Sequence, residues 1–275
     1  MVKSDSKKEF SVLVLCGGAP RHLYVANTLA EATNVVGIVL EVGSRSPGLQ
    51  KILKTIFRPH ILYRKVRRLL LDRYLASGSD EERFFFAKGK AKLTQESLAT
   101  RVGNINDKEV MDLVKKHQPD VIAVFGTSLI KEPLLSSAKQ SMINLHGGLS
   151  PHYRGADCTF WALYNQEPDQ VGCTLHYIDP GIDTGMLIAH ISPEVTPDDS
   201  ENSLFWKGVK ESAKIYCELM DKLKTGRYPG KKQMERGCLY QVKKRTMSHQ
   251  KKLESSLENG LLEKVNLPTR IVWFK

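Results

Sequence analysis

An amide, an imidazole and a carboxylate stand at matched points between residues 143 and 185. Ile143 and Leu145 alternate with Asn144 and His146, the period-two pattern of a strand with one apolar and one polar face. That strand stops at Gly147-Gly148, where a chain without Cβ atoms can turn abruptly. Further on, a second alternating run over 173–178 ends in Asp179-Pro180-Gly181 and leads to Asp183. Acyl transfer to an amine passes through a tetrahedral intermediate with negative charge on the former carbonyl oxygen. Amide and imidazole N–H groups fixed near that oxygen are worth about 10²–10³ in rate per donor. A carboxylate beside them can orient the imidazole and help to move the proton from the attacking to the leaving nitrogen. Taken singly, the three are a turn asparagine, a core histidine and a loop aspartate. Together at two strand ends they form a catalytic set, because such a trio makes little sense as packing.

These groups need a scaffold, and the flanking sequence supplies one. Residues 11–16 form a short β-branched run bounded by Gly17-Gly18, which reads as a buried first strand. A helical pattern follows over 23–32, then a second buried run over 34–40. Strand, helix, strand in this rhythm predicts an α/β fold with a mostly parallel, twisted, doubly wound sheet. Gly17, Gly18, Arg21 and His22 lie at the first strand-to-helix turn, where backbone N–H groups suit an anion such as a phosphate. The turn is neither G-x-G-x-x-G nor a P-loop, so an unliganded tight turn is the alternative. Another helix is expected after Asp107, and residues 121–125 read as a further buried strand. Its carboxyl end, Gly126 to Ile130, sits where an open sheet lines its crevice. Residues 84–87 read as a short strand, 187–191 as another, and 200–224 as a long amphipathic helix. Past Gly226 the character changes to a Gly/Pro turn, a strand over 238–242, a polar helix near 248–257 and an apolar end. This divides the chain into a catalytic domain over 1–226 and a small C-terminal extension over 227–275.

One segment departs from the α/β rhythm. Residues 50–74, within a helical insertion over about 45–80, are dense in Lys and Arg interleaved with apolar residues at three-to-four spacing. Pro59 divides them into two amphipathic helices with basic faces. Such a face suits an anionic membrane surface, as a peripheral contact, or an anionic substrate; a solvated face covering the core is the bland reading. The net charge of +11 agrees with acidic ligands without choosing among them.

The remaining composition excludes several classes. Apolar content of 41% and charged content of 26% are ordinary for a globular protein. No apolar run approaches the roughly 20 residues needed to cross a bilayer. The charged start leads straight into a strand and does not read as a secretion signal, so a cytoplasmic location is expected. Five scattered cysteines without C-x-x-C spacing argue against a disulfide framework or a structural zinc site. His152, His176 and His190 follow no ligand spacing, so no metal is expected.

Asn144-Leu145-His146, then Pro151-His152-Tyr153-Arg154-Gly155, then Asp179-Pro180-Gly181-Ile182-Asp183-Thr184-Gly185 together resemble the pattern of the formyltransferases that use 10-formyltetrahydrofolate. The resemblance is strongest over about 120–191. It implies a Rossmann-like formyltransferase fold, with 10-formyltetrahydrofolate as co-substrate and no metal. Asn144 would then be the oxyanion donor, His146 the imidazole that polarises the formyl group or shuttles the proton, and Asp183 the carboxylate completing the proton path. The pterin would sit against Phe125, Gly126, Thr127, Ser128, Leu129 and Ile130 on one side, and Ile178, Asp179, Pro180 and Gly181 on the other. Many members carry Pro-Ser or Asn-Ser after the histidine; Gly147-Gly148 here is expected to alter the acceptor side.

The acceptor expected is a small-molecule amine bearing phosphate. The wording L-S-P-H-Y-R-G before Phe160-Trp161 is most similar to sugar N-formyltransferases, which act on nucleotide-linked amino sugars. Gly147, Gly148, Tyr153, Arg154 and Trp161 are the acceptor-side candidates, beside Gly17, Gly18, Arg21 and His22. Formyl transfer to glycinamide ribonucleotide or to aminoacyl-tRNA, formyl-folate hydrolysis, and a non-catalytic anion-binding module are the alternatives. The chain after Gly226 is too short for the usual tRNA-gripping barrel, so no nucleic acid is expected. The sequence is compatible with a dimer.

Overall fold

The computed structural model describes residues 9–43, 59–77, 80–87 and 89–275. The β-branched, fully apolar runs become the centre of the sheet. Strands β1 (Val12–Gly17) and β4 (Val121–Phe125) are buried along their whole length. They pair in parallel, and β2 (Val35–Glu41) and β3 (Ala99–Val102) extend the sheet from β1, again in parallel. On the other side β5 (Ser141–His146) joins β4 in parallel. Then β7 (Cys173–Tyr177), β8 (Leu187–Ser192) and β10 (Arg270–Trp273) complete it by antiparallel pairing. The order is β10-β8-β7-β5-β4-β1-β2-β3. This is the expected mostly parallel α/β sheet. The chain reverses its winding between β1 and β4, and the cavity lies beside that switch point, at the carboxyl ends of β4 and β5.

Helices α1 (Pro20–Ala32), α2 (Pro59–Ser77), α3 (Glu81–Phe86), α4 (Lys108–His117), α5 (Cys158–Tyr164), α6 (Glu201–Leu223) and α7 (Met247–Glu258) surround this sheet. Leu29 of α1 and Val209, Tyr216 and Leu219 of α6 pack with one face; Val110 and Val114 of α4 pack with the other. Ser200 caps α6, accepting from Ser203 N at 3.1 Å. Pro59 opens α2, as its fixed φ allows at a first helical position. The other half of the expected basic pair, residues 50–58, lies outside the described residues.

The short strand expected over 84–87 is instead the end of helix α3. Three successive phenylalanines favour a strand by propensity, but packing overrides it. Phe85 lies against Tyr24 of α1 at 5.1 Å and Phe84 against Trp206 of α6 at 5.5 Å.

Three strands have no counterpart in the sequence reading. One is β3, at the sheet edge. A second is β6 (Tyr153–Gly155), which pairs in parallel with β9 (Cys238–Tyr240). The third is β10, so the last part of the 227–275 extension is a strand of the central sheet. Through β6–β9 the extension also reaches the crevice.

Candidate active site

Asn144 and His146 point from the polar face of β5. Directly across the antiparallel ladder, Asn144 faces His176 of β7. The loop that follows β7 returns Asp183 to the same point, in a left-handed conformation with φ 52°. Asp179 shapes that loop, its Oδ1 accepting from Gly181 N at 3.1 Å and from Thr184 Oγ1 at 2.6 Å.

Asp183 is the hub. Its Oδ2 accepts from the Gly155 backbone N–H at 2.8 Å and faces His146 Nδ1 at 3.4 Å. Its Oδ1 lies 3.5 Å from His176 Nε2 and 3.5 Å from Asn144 Nδ2. Burial alone would raise the Asp183 carboxyl, but the two imidazoles and the Gly155 N–H outweigh it and hold it well below the usual carboxylate range. It is ionised at neutral pH.

His146 is buried, and its Nε2 donates to the Tyr153 carbonyl at 2.9 Å. Because a carbonyl can only accept, a neutral ring leaves the Nδ1 lone pair toward Asp183. Burial pushes the His146 pKa down, against the opposing pull of Asp183 and the Tyr153 carbonyl. The ring is therefore a free base at neutral pH, and a proton arriving at Nδ1 meets a carboxylate.

His176 orients the amide. Its Nδ1 donates to the Tyr177 carbonyl at 2.8 Å, which makes Nε2 the acceptor for Asn144 Nδ2 at 3.1 Å. One N–H of Asn144 is thus fixed. The other makes only the long 3.5 Å contact with Asp183, a bond that a developing oxyanion can displace.

These groups form the floor of a cavity of about 450 Å³. Phe125, Gly126, Thr127, Ser128, Leu129 and Ile130 line one wall, and Ile178, Gly181 and Ile182 another. Gly147, Gly155, Ala156 and the extension's Leu239, Tyr240, Gln241 and Val242 complete the rim. Mixed apolar walls over a few convergent polar groups suit a flat heterocycle with one reacting centre. Glu41 braces the first wall, accepting from Ser128 N at 2.6 Å and from Ile105 N at 2.9 Å.

Of the expected folate-side residues, Asp179 and Pro180 do not line the cavity. Asp179 holds its turn instead. Gly148 lies under the site: a Cβ there would sit 2.6 Å from Cys158 Cβ and 2.7 Å from the Tyr153 carbonyl. A Cβ at Gly147 would sit 2.7 Å from Phe205, so close packing accounts for both glycines. Tyr153 gives its hydroxyl to Glu167, and its ring stacks on Tyr240 at 5.5 Å. Trp161 stacks on the other side of Tyr240 at 5.0 Å. Arg154 bridges the Asp183 loop to the extension, donating to Ile182 O at 3.3 Å and Gly237 O at 3.0 Å. Tyr153, Arg154 and Trp161 thus build the rim from behind.

Gly17, Gly18, Arg21 and His22 are not among the lining residues. Arg21 pairs with Glu81 of α3 at 2.8 Å. His22 is wedged between the two glycine turns, where a Cβ at Gly17 or Gly126 would collide with its ring. Burial, helped by the neighbouring Arg21 charge, pushes the His22 pKa down to about 3, so it carries no charge with which to meet a phosphate.

Sequence reasoning missed His176, Gly155 and residues 239–242. His176 stands in an alternating strand seven positions before Asp183, but only the β5–β7 register reveals its partner. Among the described residues no cluster of His, Cys, Asp or Glu is arranged to hold a metal ion. No helix among them is long and apolar enough to cross a membrane.

The formyl transferase family model matches residues 81–220, just over half of the chain. A methionyl-tRNA formyltransferase of Trichlorobacter lovleyi is 35% identical over 121 residues, covering 43% of this chain and 38% of that protein. The matches to the first curated relatives span less than half of those proteins' length. Two solved structures share the fold at low identity. A 4-N formyltransferase from Francisella tularensis aligns over 85% of this chain and 76% of its own, with TM-score 0.54 and 17% identity. A sugar N-formyltransferase from Shewanella sp. aligns over 89% and 86%, with TM-score 0.55 and 15% identity.

Proposed function

The chain belongs to the formyl transferase family, and on that premise we propose that it moves a formyl group from 10-formyltetrahydrofolate to a primary amine. The observation that carries this reading is the convergence of Asn144, His146 and Asp183 on one cavity floor, with every contact among them at 3.5 Å or less.

The pterin lies between the 125–130 wall and the 178–181 turn, placing the formyl carbon over Asn144 and His146. The amine nitrogen attacks that carbon. Asn144 gives its loosely held N–H to the forming oxyanion. His146 Nδ1 takes the proton that the attacking nitrogen sheds, and Asp183 stabilises the imidazolium. The bond from the formyl carbon to the folate nitrogen then breaks as that nitrogen receives the proton. Residues 1–226 carry this chemistry, and 227–275 act as an extension that closes the rim.

The acceptor in this reading is the amino group of a nucleotide-linked amino sugar, supported by the run Leu149-Ser150-Pro151-His152-Tyr153-Arg154-Gly155 and the aromatic start of α5. A second reading, formyl transfer to methionyl-tRNA, is favoured by the name of the curated relative that matches at 35% identity. Purified protein with 10-formyltetrahydrofolate and a panel of amines separates them. The panel holds a nucleotide-linked 4-amino sugar, glycinamide ribonucleotide and charged methionyl-tRNA, read by mass spectrometry. Formylation of the amino sugar supports the first reading; formylation of the tRNA alone replaces it with the second. Formate release without any formylated amine would sink both.

A further inference from the structure

The loop that carries Asp183 is held from outside by the extension. Leu187, the first residue of β8, exchanges two backbone hydrogen bonds with Lys231, each at 2.8 Å. That isolated bridge fixes the chain two residues before Gln233. Lys231, Lys232, Met234, Glu235 and Arg236 are exposed, whereas Gln233 turns inward and is half-buried. Its Nε2 donates to the Asp183 carbonyl at 3.0 Å and to the Gly185 carbonyl at 2.7 Å. A side-chain amide has two N–H donors, so both are committed to this one loop. Gln233 does not line the cavity, and its place in the site is therefore indirect.

Those two bonds act on an unusual backbone. Asp183 has φ 52°, a region that residues with a Cβ seldom occupy without support. Peptide units are planar, so two units meeting at one Cα fix its φ and ψ, and with them the direction of Cβ. The unit before Asp183 is held through the Ile182 carbonyl, which accepts from Arg154 Nη1 at 3.3 Å. The unit after it is held through the Asp183 carbonyl, which accepts from Gln233. Arg154 also reaches the extension, where its Nη2 donates to the Gly237 carbonyl at 3.0 Å. The carboxylate is thus aimed along a fixed Cα–Cβ direction, with Oδ2 at 3.4 Å from His146 Nδ1. Gln233 and Gly237 both lie beyond residues 81–220, the stretch that matches the family model.

We propose that Gln233 is a positioning residue for formyl transfer, clamping the Asp183 backbone so that the carboxylate meets His146 and the Gly155 N–H. This rests on the formyl-transfer reading of the site, and it makes the extension a working part of the proton path as well as a rim. Gln233 acts through Asp183 and not on the reacting atoms. An amide suits the task because it is neutral and offers two donors. A cation in its place would compete with the His146 imidazolium for the Asp183 charge. Without the clamp, Asp183 can leave the left-handed region, and its carboxylate then releases both partners.

Gln233→Met keeps the length of the side chain and removes both donors. Amide hydrogen exchange by NMR and steady-state kinetics on the whole chain test the clamp, with Asp183→Asn and the double variant alongside. Two neighbouring amides report on it: Gly155 N–H is bonded to Asp183 Oδ2, and Ala156 N–H to the Tyr240 carbonyl at 2.9 Å. In Gln233→Met, protection at Gly155 should fall about tenfold or more while that at Ala156 holds within about twofold. The kcat should fall by about 10–100-fold, the scale of a small misplacement near the reacting atoms, with KM for 10-formyltetrahydrofolate within about twofold. Because the clamp works only through the carboxylate, adding Gln233→Met to Asp183→Asn should cost less than about twofold more. Undiminished protection at Gly155 would overturn the clamp. Equal loss at Gly155 and Ala156 would do so too, since Gln233 would then hold the strand pair instead of the carboxylate. So would losses of kcat that multiply in the double variant. If the unaltered protein formylates no amine while Gly155 alone loses protection in Gln233→Met, the clamp stands and the formyl-transfer reading falls.

Discussion

Gly155 gives its backbone N–H to Asp183 Oδ2 at 2.8 Å, and so fixes the oxygen that faces His146. Gly155 has φ +91°, and a Cβ there would run into the Tyr240 carbonyl. The hydrogen bond that orients the carboxylate thus depends on a residue without a side chain, held where β6 meets the extension. Gly155→Ala is expected to displace this backbone and cost about 1–3 kcal/mol of stability, the range for strained conformations. Asp183→Asn keeps the shape and removes the charge, so kcat should fall by about 10²–10⁴, the usual contribution of a positioned acid–base group. Because the folded protein holds that carboxyl well below its ordinary range, the charge also stabilises the fold at neutral pH, and the urea unfolding midpoint should fall as well. Full activity in Asp183→Asn would remove the carboxylate from the proton path.

Asn144 and His176 are expected to fail in related ways. Asn144→Ala removes the oxyanion donor and should lower kcat by about 10²–10³ with little change in KM. His176 only positions that donor, through the 3.1 Å bond to Asn144 Nδ2. His176→Asn can still offer an acceptor there and should recover part of the rate lost in His176→Ala. Equal rates in the two variants would mean that His176 merely fills space.

Much of this was legible in the sequence. The buried runs that became β1 and β4 are apolar throughout, which fits only a strand covered on both faces. Asn144, His146 and Asp183 were legible because glycines and a period-two pattern mark the strand ends that carry them. His176 was not, because its function depends on facing Asn144 across a ladder between segments far apart in the chain. Tyr240 and Val242 were hidden for a similar reason: a strand over 238–242 is expected, but only its pairing with β6, three residues too few to show a period, brings it to the crevice. At Gly17 to His22, where a phosphate was expected, the sequence did not show the tertiary contacts that engage the side chains. Arg21 has a carboxylate partner in α3, and His22 is buried against Phe125 at 4.8 Å.

Three imidazoles, two buried and His190 half-buried, set the response to acid. His22 and His190 have pKa values pushed down to about 3 and about 4 by burial, and burial lowers His146 as well. The unfolded chain, with histidines near 6.5, binds protons that the folded chain refuses. Stability is therefore full above pH 6.5 and is lost as pH falls toward the folded values. At pH 5 His22 and His190 each remove about 2 kcal/mol, at about 1.4 kcal/mol per unit, and His146 acts in the same direction. Urea midpoints measured from pH 7.5 to 5 should fall, and His190→Gln should flatten the slope. Over the same range kcat at saturating substrate should show an acid limb with an apparent pKa below 6.5, as His146 Nδ1 becomes protonated. A limb above pH 7 would mean that another group is the base.

Tyr216 ties the catalytic strand to its neighbour. Its hydroxyl, fully buried in α6, donates to the Ile143 carbonyl at 2.6 Å and accepts from Val124 N at 3.0 Å. These backbone groups belong to β5 and β4, beside Asn144 and Phe125. Tyr216→Phe removes only an oxygen but leaves a buried N–H and a buried C=O without that partner, each expensive to leave unmade. The expected cost is about 1–3 kcal/mol in urea or thermal unfolding. Because Ile143 immediately precedes Asn144, kcat should fall by a modest factor while KM for the folate changes little. An unfolding midpoint equal to that of the unaltered protein would show that β4 and β5 hold their spacing without the hydroxyl.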